Sequence, residues 1–448
     1  MAAARPPRDL PPQLALSALH DRIVGTLFGA ALGDAIGLYT EFLTPAQINR
    51  DYPSWYFTLY PPEAVIPFRR DHHRSPHVPG NWTDDTDHSI LILLSFLHND
   101  GKLDPQDFAE RLSVWVRNGL RALDTLPFGL GRTVGFVVRN SSFLEDPEGR
   151  ARDVWVKSGK TVAPNGSLMR THPLGVMCIS RTRTETFETA ARFSVITHVD
   201  PRCIVSCAIG TELVRGLSRG EYTDESHIDA VIEAALEWYP KWAAARDAAA
   251  GRETEKLDRE ELYRHVEVSY FHELDLASDA MGYVYKCLGS GILALRLAIR
   301  HMATSTTPLS LQASTFDLVI VTLITKGGDA DTNACFAGAL LGAYLGYRAL
   351  PPHWKDGLRH GYWLMRKAES LSRLLGVTPG TYSGKEDTDT AVDGGRGLLT
   401  DAEMEKRFMI LQAHIAQKEQ DYNKKLQEEK TMTTKILEYL RQRYSRTP

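Results

Sequence analysis

The sequence predicts an all-α protein. Apolar residues recur along most of the chain at a spacing of three to four, as at Ile23, Leu27 and Ala31, which is the period of a helix. The alternation of apolar and polar residues that is typical of a half-buried strand is almost absent. Glycines inside a helix cost roughly 1 kcal/mol each, so the cluster from Gly25 to Gly33 indicates close packing against a neighbouring helix. We therefore expect a compact body of packed helices.

The helical segments follow one another as far as residue 348. The first begins near Ser17 and ends at Asp34, and the third is opened by Asp104 as N-cap with Pro105 in its first turn. The full set of predicted helices covers residues 17–34, 88–97, 104–123, 166–180, 185–197, 201–217, 226–238, 278–300, 309–325 and 332–348.

Composition divides the chain into four regions. Residues 51–82 read as a loop within the body, and the highly charged stretch 240–275 is expected to be a solvated helical insertion. The Asp-x-Asp at 387–389 is interpreted as a chance match to a metal motif. The regions are a disordered N-terminus over 1–14, the helical body over 15–375, a linker over 376–399 and a C-terminal amphipathic helix over 400–446.

The C-terminal helix is opened by a capping box formed by Thr400 and Glu403. Its apolar stripe is interrupted at Lys418 and Lys425, which argues against a regular coiled coil. We expect this helix to dock on the body or on a protein partner.

Overall charge and cysteine usage exclude several classes of protein. The chain carries 52 Lys and Arg against 56 Asp and Glu, a net charge of −4, and a dedicated nucleic-acid binder would show a basic excess. The five cysteines predict a reducing, intracellular site, cytoplasmic or nuclear; Cys203 and Cys207 fit helix packing better than metal binding. No secretory signal or uninterrupted apolar run of membrane-spanning length is found, so no membrane contact is expected.

Two acidic clusters stand out, each directly before an apolar helix. In the first, five acidic or hydroxyl residues run consecutively from Thr83 to Asp87, whereas one helix cap needs only one such residue. The second combines Gly327 and Gly328 with Asp329, Asp331 and Thr332. Crowded carboxylates are costly unless a cation neutralises them, and Asp and Thr oxygens suit Mg²⁺. The clusters thus predict one binuclear Mg²⁺ site, with two independent helix caps as the alternative.

Three further elements carry possible functional residues. Glu41 follows Gly37 in a loop, where a mobile carboxylate can act as a general acid or base. The turn at Asn165, Gly166 and Ser167 opens a helix whose N–H groups could hold a phosphate, although such turns are common. His198 lies at a helix–helix junction, where a structural role is the simpler reading.

Together these stretches resemble the ADP-ribosylglycohydrolase family, which includes dinitrogenase-reductase-activating glycohydrolase and crystallin-like relatives. The resemblance implies a compact, orthogonal multi-helix bundle with two Mg²⁺ ions. Outside it are the long 51–79 loop, the 240–275 insertion and the C-terminal helix. The matching motifs are GTLFGAALGDAIGLYTE, GNWTDDT, NGSLMR, THVDP and GGDADTNACFAGALLGAYLG, in family order over residues 23–348.

The resemblance also assigns roles to residues. Catalysis is expected from Glu41 together with Asp84 and Asp85. Gly289, Ser290 and Gly291 are similar to a further turn on the ligand side. The metal ligands implied are Thr83, Asp84, Asp85, Asp329, Asp331 and Thr332. The residues implied to bind ADP-ribose are Asn165, Gly166, Ser167, Met169 and His198.

The implied activity is Mg²⁺-dependent hydrolysis at the anomeric carbon of ADP-ribose, through an oxocarbenium-like transition state. Its partner would be an ADP-ribosylated protein or another ADP-ribose conjugate. Two alternatives stay open at this point. One is a catalytically silent binder or structural protein of the same fold, and the other is a hydrolase of a different nucleotide glycosidic bond.

Overall fold

The computed structural model describes residues 12–303 and 309–444. Within these ranges there is no strand, and one isolated β-bridge joins Pro164 to Tyr283. The all-α prediction is therefore confirmed. Most of the N-terminal region expected to be disordered, and the final residues of the chain, lie outside the described residues.

The α-helices are α1 (Pro12–Gly37), α2 (Pro45–Asp51), α3 (Asp84–His98), α4 (Pro105–Asn118), α5 (Arg132–Val138), α6 (Pro147–Lys157), α7 (His172–Met177), α8 (Arg183–Ser194), α9 (Pro201–Ser218), α10 (Glu225–Ala249), α11 (Arg259–Val266), α12 (Val284–Ala303), α13 (Leu309–Ile324), α14 (Ala330–Leu345), α15 (Pro352–Lys355), α16 (Gly361–Leu374) and α17 (Asp401–Tyr444). Short 3₁₀ turns occupy Pro62–Ala64, Arg121–Leu123, Asn165–Ser167, Phe271–Leu274, Tyr347–Ala349 and Thr388–Thr390. None of the described helices combines the length and apolar character that crossing a membrane requires.

The predicted helices occur close to their expected positions, with one exception. Residues 166–180 form a 3₁₀ turn followed by the short α7, because Pro173 restricts the start of that helix. The sequence did not predict the helices α2, α5, α6, α15 and α16, although α16 buries Leu364 and Leu371 on one face.

Helices α1 and α14 pack antiparallel with their backbones in close contact. A Cβ atom added at any of the glycines of α1 would lie under 3.0 Å from the backbone of α14, which real Cβ atoms essentially never do. Glycine is therefore required at these positions because of the close approach. The facing pairs are Gly25 with Gly342, Gly29 with Gly338 and Gly33 with Ala334.

The antiparallel arrangement brings the C-terminal end of α1 to the N-terminal end of α14. Gly37 faces the backbone of Asp331, so the loop that follows α1 begins beside the second acidic cluster. The N-terminus of α3, which carries the first acidic cluster, reaches the same place through hydrogen bonds to Asp34. The two acidic clusters are therefore joined at one point, although some 240 residues separate them.

The segment 376–399 differs from the flexible linker that its composition predicts. Lys367 of α16 forms ion pairs with Asp387 at 2.5 Å and with Asp389 at 3.1 Å. Thr390 is fully buried. Polar residues of this segment thus contact the helical body. The Asp-x-Asp pair has the Lys367 ammonium as its partner, which agrees with the interpretation that it matches a metal motif by chance.

The described chain separates into two compact units. The first contains residues up to Arg69 together with Pro79–Gly397, and it includes both acidic clusters. The second contains Arg70–Val78 and the chain from Leu398 onward.

The second unit is built around helix α17. The predicted capping box is present, since the Thr400 N–H donates to Glu403 Oε2 at 2.8 Å and the Glu403 N–H donates to Thr400 Oγ1 at 3.3 Å. The guanidinium of Arg70 lies 3.4 Å from the ring centroid of Tyr422. Met409 is 66% exposed, and the partner of this helix stays a prediction.

Candidate functional site

The site begins at Asp34, a fully buried carboxylate in the last turn of α1. It accepts hydrogen bonds from the backbone N–H and the hydroxyl of Thr83, each at 3.0 Å. It also accepts from the backbone N–H of Thr86 at 3.0 Å and from the Thr86 hydroxyl at 2.6 Å. Because these donors occupy its oxygens, Asp34 anchors the N-terminus of α3, in place of the usual side-chain cap.

The hydroxyl of Thr83 lies among three carboxylates. Its oxygen is 3.0 Å from Asp34, 3.1 Å from Asp85 and 3.4 Å from Asp331. A hydroxyl has one proton and can donate to one of them only. The other two approaches bring acceptor atoms together, which is costly in a buried site unless a cation lies between them.

The carboxylates of this cluster repel one another. Burial is the main cause that raises the pKa of Asp84, Asp85 and Asp331 well above the usual range of a carboxyl, and the neighbouring carboxylates raise it further. Burial also raises the pKa of Asp34 to about 6. Asp85 Oδ1 is buried without a hydrogen-bond partner in the described chain, as expected of an oxygen available to a metal ion.

A second group of acidic oxygens adjoins the first. Single oxygen atoms of Glu41, Asp329 and Asp331 all lie within 4.8 Å of one another, as do those of Asp34, Asp85 and Asp331. Asp331 belongs to both groups. The all-oxygen donor set fits hard cations such as Mg²⁺, and the shared Asp331 is consistent with two adjacent positions.

Backbone pairing holds the Glu41 loop against the second acidic cluster. The Phe42 N–H donates to Gly328 O at 2.7 Å, and the Gly328 N–H donates to Leu43 O at 3.1 Å. Gly328 adopts φ +71°, a conformation that side chains rarely allow, and so the chain can turn directly before Asp329. These two backbone hydrogen bonds account for the proximity of Glu41 and Asp329.

The turn at 165–167 reaches the acidic cluster through Asn165. The Asn165 Nδ2 donates to Asp329 Oδ2 at 2.8 Å. The backbone N–H groups of Gly166 and Ser167 donate to no backbone carbonyl within the described chain, because they open the 3₁₀ turn. Gly166 faces His198, and a Cβ on residue 166 would lie 3.2 Å from His198 Nε2.

Ser167 and Met169, in and just after this turn, have buried side chains. The Ser167 hydroxyl is fully buried, where it accepts from Ser194 Oγ at 3.2 Å and from Cys207 Sγ at 3.3 Å. Met169 is also buried, and its carbonyl accepts from His172. Only the backbone of Ser167 is therefore placed to meet a ligand. Each of the five cysteines is free and buried, in agreement with a packing role.

The predicted ligand-side turn at Gly289–Gly291 is wrong. These residues lie inside helix α12, and a Cβ at Gly291 would overlap the ring of Phe336. They are therefore small because α12 packs closely against its neighbours, not because a ligand approaches them.

A cavity of about 510 Å³ adjoins the Gly166 turn. Phe136 is 69% exposed beside it, and the basic side chains of Arg132, Arg150 and Lys157 stand at its wall. Pro164, directly before the turn, and His198 form part of the lining. An aromatic face with cationic groups suits a flat ring that carries phosphate.

Asp87 is a further buried carboxylate in the first turn of α3, and two tryptophans hold it in place. It accepts from Trp82 Nε1 and from Trp115 Nε1, both at 2.8 Å. Burial raises the pKa of Asp87 to about 7. Both of its oxygens accept from indole N–H groups, so Asp87 stabilises the start of α3 against the core.

Sequence reasoning missed the role of Asp34. A signal was available, because Gly33–Asp34 at the end of a small-residue helix repeats the Gly–Asp pair found at Gly328–Asp329. The structure brings together Thr83, Asp85, Asp329, Asp331 and Glu41 as expected. Thr332 lies beside Asp85 and Asp329, and Asp84 packs against the backbone of Gly129.

Comparisons with known proteins agree on one family. The family model described as ADP-ribosylglycohydrolase matches residues 15–383. An ADP-ribosylarginine hydrolase of Serratia proteamaculans is 26% identical, over 78% of this chain and 79% of its own length. An ADP-ribosyl-[dinitrogen reductase] glycohydrolase of Rhodospirillum rubrum is 23% identical, over 80% and 98%.

The comparisons also include a third relative and a solved structure. The ADP-ribosylhydrolase ARH3 of Bos taurus is 26% identical, over 79% of this chain and 93% of its own length. A solved structure described as an ADP-ribosylglycohydrolase-related protein complex has a TM-score of 0.48 at 23% identity, covering 80% of this chain and 99% of that one.

Proposed function

This chain belongs to the ADP-ribosylglycohydrolase family, and we propose that it hydrolyses the bond between the anomeric carbon of ADP-ribose and a protein side chain in a Mg²⁺-dependent reaction. Members of this family are hydrolases of glycosyl bonds that release ADP-ribose from modified substrates. The observation that carries the proposal is the convergence of three carboxylates on the hydroxyl of Thr83. Such crowding is costly unless a cation relieves the repulsion, and a cation at this place would serve the ribose end of the ligand.

The metal would be held by residues from both acidic clusters. The proposed ligands are Thr83, Asp84, Asp85, Asp329, Asp331 and Thr332. When bound, Mg²⁺ supplies charge that attracts hydroxyl oxygens and fixes the ribose. Asp34 keeps Thr83 in place through its hydrogen bonds, and Asn165 keeps Asp329 in place. These hydrogen bonds are made without substrate, which lowers the cost of orienting the reacting carbon.

The ADP portion would lie over the Gly166 turn. The free N–H groups of Gly166 and Ser167 can donate to the diphosphate, so the charge of the phosphates needs no large basic patch. His198 lies beside the same turn, and Phe136 with its basic neighbours offers a surface for the rest of the nucleotide.

Glu41 would transfer the proton in the reaction. Its carboxylate takes a proton from the attacking water while the water oxygen bonds to the anomeric carbon. The bond from that carbon to the leaving group breaks, and the leaving group keeps the electron pair and receives from Glu41 the proton that the water gave up. Glu41 lies beside Asp329 and Asp331, so it approaches the carbon from the side of the acidic cluster.

The test is turnover of Arg-, Ser- and poly-ADP-ribosylated substrates by the full-length protein, with Mg²⁺ and with EDTA. We expect release of ADP-ribose from at least one substrate with Mg²⁺ and loss of release with EDTA. Asp331→Asn should abolish release and leave the protein folded, whereas Asp229→Asn on the exposed side of α10 serves as the matched control.

Two results would contradict the proposal. Binding of ADP-ribose without turnover of any of the three substrates supports a catalytically silent binder instead. Normal turnover by Asp331→Asn removes the second acidic cluster from the site. We also propose an intracellular site of action, because the free, buried cysteines suit a reducing compartment.

A further inference from the structure

A buried guanidinium lies behind the ligand turn without a carboxylate partner. Arg170 follows the Asn165–Ser167 turn and is fully buried, and no ion pair joins it to an acidic residue of the described chain. Its Nη2 donates to Phe193 O at 3.3 Å and to Thr197 Oγ1 at 2.7 Å. The ring of Phe108 covers it at 5.0 Å. A buried cation is costly unless its donors make specific hydrogen bonds.

The hydrogen bonds continue from Arg170 to an imidazole. Thr197 Oγ1 lies 2.7 Å from Nδ1 of His198, and both side chains are buried. Arginine is always protonated, so it can only donate to Thr197. The direction of the first hydrogen bond is therefore fixed by chemistry alone.

The direction of the second hydrogen bond follows from the first. If the His198 Nδ1 carried a proton and donated to Thr197, the hydroxyl would accept twice and its own proton would have no acceptor in the described chain. A buried, unpartnered hydroxyl is unfavourable, so the favoured arrangement has Thr197 donating to an unprotonated Nδ1. Neutral His198 then carries its proton on Nε2.

The Nε2 atom is the part of His198 that faces the ligand turn. It is buried and has no hydrogen-bond partner in the described chain, and it lies 3.2 Å from the position that a Cβ on Gly166 would occupy. Since residue 166 has no side chain, an acceptor atom seated over its backbone comes within reach of Nε2. Burial and the charge of Arg170 lower the pKa of His198 well below its usual value, in agreement with a neutral ring.

We infer that Arg170, acting through Thr197, is a positioning residue that holds His198 as the Nε2–H tautomer and so presents a neutral N–H donor to an acceptor oxygen of the ligand beside Gly166. The ligand part of this inference rests on the proposed function, in which that oxygen belongs to the diphosphate of ADP-ribose. The tautomer part does not depend on any ligand.

The first experiment measures the tautomer in the free, full-length protein. Histidines labelled with ¹⁵N in the ring are observed by long-range ¹H–¹⁵N NMR, and the His198 signals are assigned from their loss in His198→Gln. We expect an unprotonated Nδ1 and a protonated Nε2 across neutral pH. A protonated Nδ1 in the wild-type protein overturns the inference, whatever the enzyme does with substrate.

The second experiment compares Thr197→Val, which keeps the shape and removes the hydroxyl, with Thr197→Ser, which keeps the hydroxyl. Thr197→Val should mix the two tautomers and weaken binding of ADP-ribose, measured by calorimetry, by about tenfold, the loss expected for one hydrogen bond. Thr197→Ser should restore both readouts. Equal tautomer populations in the two variants also overturn the inference.

The two proposals fail in distinguishable ways. A wild-type protein with the Nε2–H tautomer but no turnover contradicts the proposed hydrolase activity and leaves the proposed role of Arg170 intact. An active hydrolase with the opposite tautomer contradicts only the proposed role of Arg170. If Thr197→Val shifts the tautomer without changing affinity for ADP-ribose, the ligand does not accept from His198, and the ligand part of the inference is wrong.

Discussion

The carboxylate of Asp34 accepts hydrogen bonds from both the backbone N–H and the hydroxyl of Thr83, each at 3.0 Å, across 49 residues of chain. This contact joins the end of α1 to the start of α3. It replaces the usual N-cap interaction within α3 and leaves the Thr83 oxygen turned toward Asp85 and Asp331. The position of one proposed metal ligand therefore depends on a carboxylate whose own oxygens are occupied.

Asp34→Asn should weaken metal binding without unfolding the protein. The amide cannot accept at both atoms, so Thr83 and Thr86 lose part of their anchor. Residues that orient metal ligands typically cost about 10–100-fold in metal affinity when changed, and we expect that range for Mn²⁺ binding measured by electron paramagnetic resonance. Asp229→Asn, on the exposed surface of α10, should bind Mn²⁺ as the wild type does. Unchanged affinity in Asp34→Asn would show that Thr83 needs no such anchor.

Glu41→Gln should separate catalysis from binding. If Glu41 moves the proton, its amide analogue should lower the single-turnover rate by about 10²–10⁴-fold. Affinity for ADP-ribose should change little, because the turn at Gly166 and the residues around Thr83 stay in place. Glu63→Gln, at an exposed position of the 51–79 loop, is the matched control. A Glu41→Gln enzyme that turns over at the wild-type rate would remove Glu41 from the mechanism.

Gly29→Ala should destabilise the fold, and Gly37→Ala should disturb the site. A Cβ at Gly29 meets the backbone of Gly338, and overpacking of this kind costs about 1–3 kcal/mol in the free energy of unfolding. A Cβ at Gly37 meets the backbone of Asp331, so Mn²⁺ affinity should fall as well.

The control for both glycine variants is Gly131→Ala, where nothing lies within 4 Å of the added Cβ. Its stability, from urea unfolding, should stay near that of the wild type. If Gly29→Ala is as stable as Gly131→Ala, the two helices are free to move apart and the close packing of α1 and α14 is not required.

Stabilisation by Mg²⁺ should grow between pH 5.5 and pH 7.5. Burial raises the pKa of Asp34 to about 6 and that of Asp85 well above its usual value. In this window the metal-free folded state holds protons that the unfolded state has released, so its stability falls as pH rises. A bound cation replaces those protons and relieves the repulsion.

The measurement is the melting temperature with Mg²⁺ and with EDTA at each pH. Buried histidines such as His172, whose pKa burial lowers to about 4, affect both conditions equally and cancel in the difference. Asp85→Asn should abolish most of the Mg²⁺ effect. A difference that is independent of pH would contradict the raised pKa values.

Much of the fold and the site could be predicted from the sequence, for a physical reason. A helix that packs on one face keeps the apolar period along its own length, so α3, α9 and α14 were visible locally. The crowded run from Thr83 to Asp87 was likewise unusual by itself. The short helices α5 and α6 were missed because tertiary packing stabilises them more than their own residues do.

Predictions from composition were wrong where residues have partners that are distant in the sequence. The Gly- and Asp-rich stretch 376–399 reads as a linker, yet Lys367 lies 20 residues before Asp387 and pairs with it. Gly289 and Gly291 resemble a turn in isolation, but α12 continues through them because neighbouring elements approach closely. Such contacts join residues that no short window of sequence contains.

The sequence by itself determined the helical class, the two acidic clusters and the family to which the chain belongs, because periodicity and motifs are local properties. The tertiary structure alone decided which atoms meet. It placed Asp34 behind Thr83, turned the Ser167 side chain inward and left the Nε2 of His198 facing Gly166. Hydrogen bonding requires distances near 3 Å between groups that the chain separates widely, and only the packing of the helices against one another sets those distances.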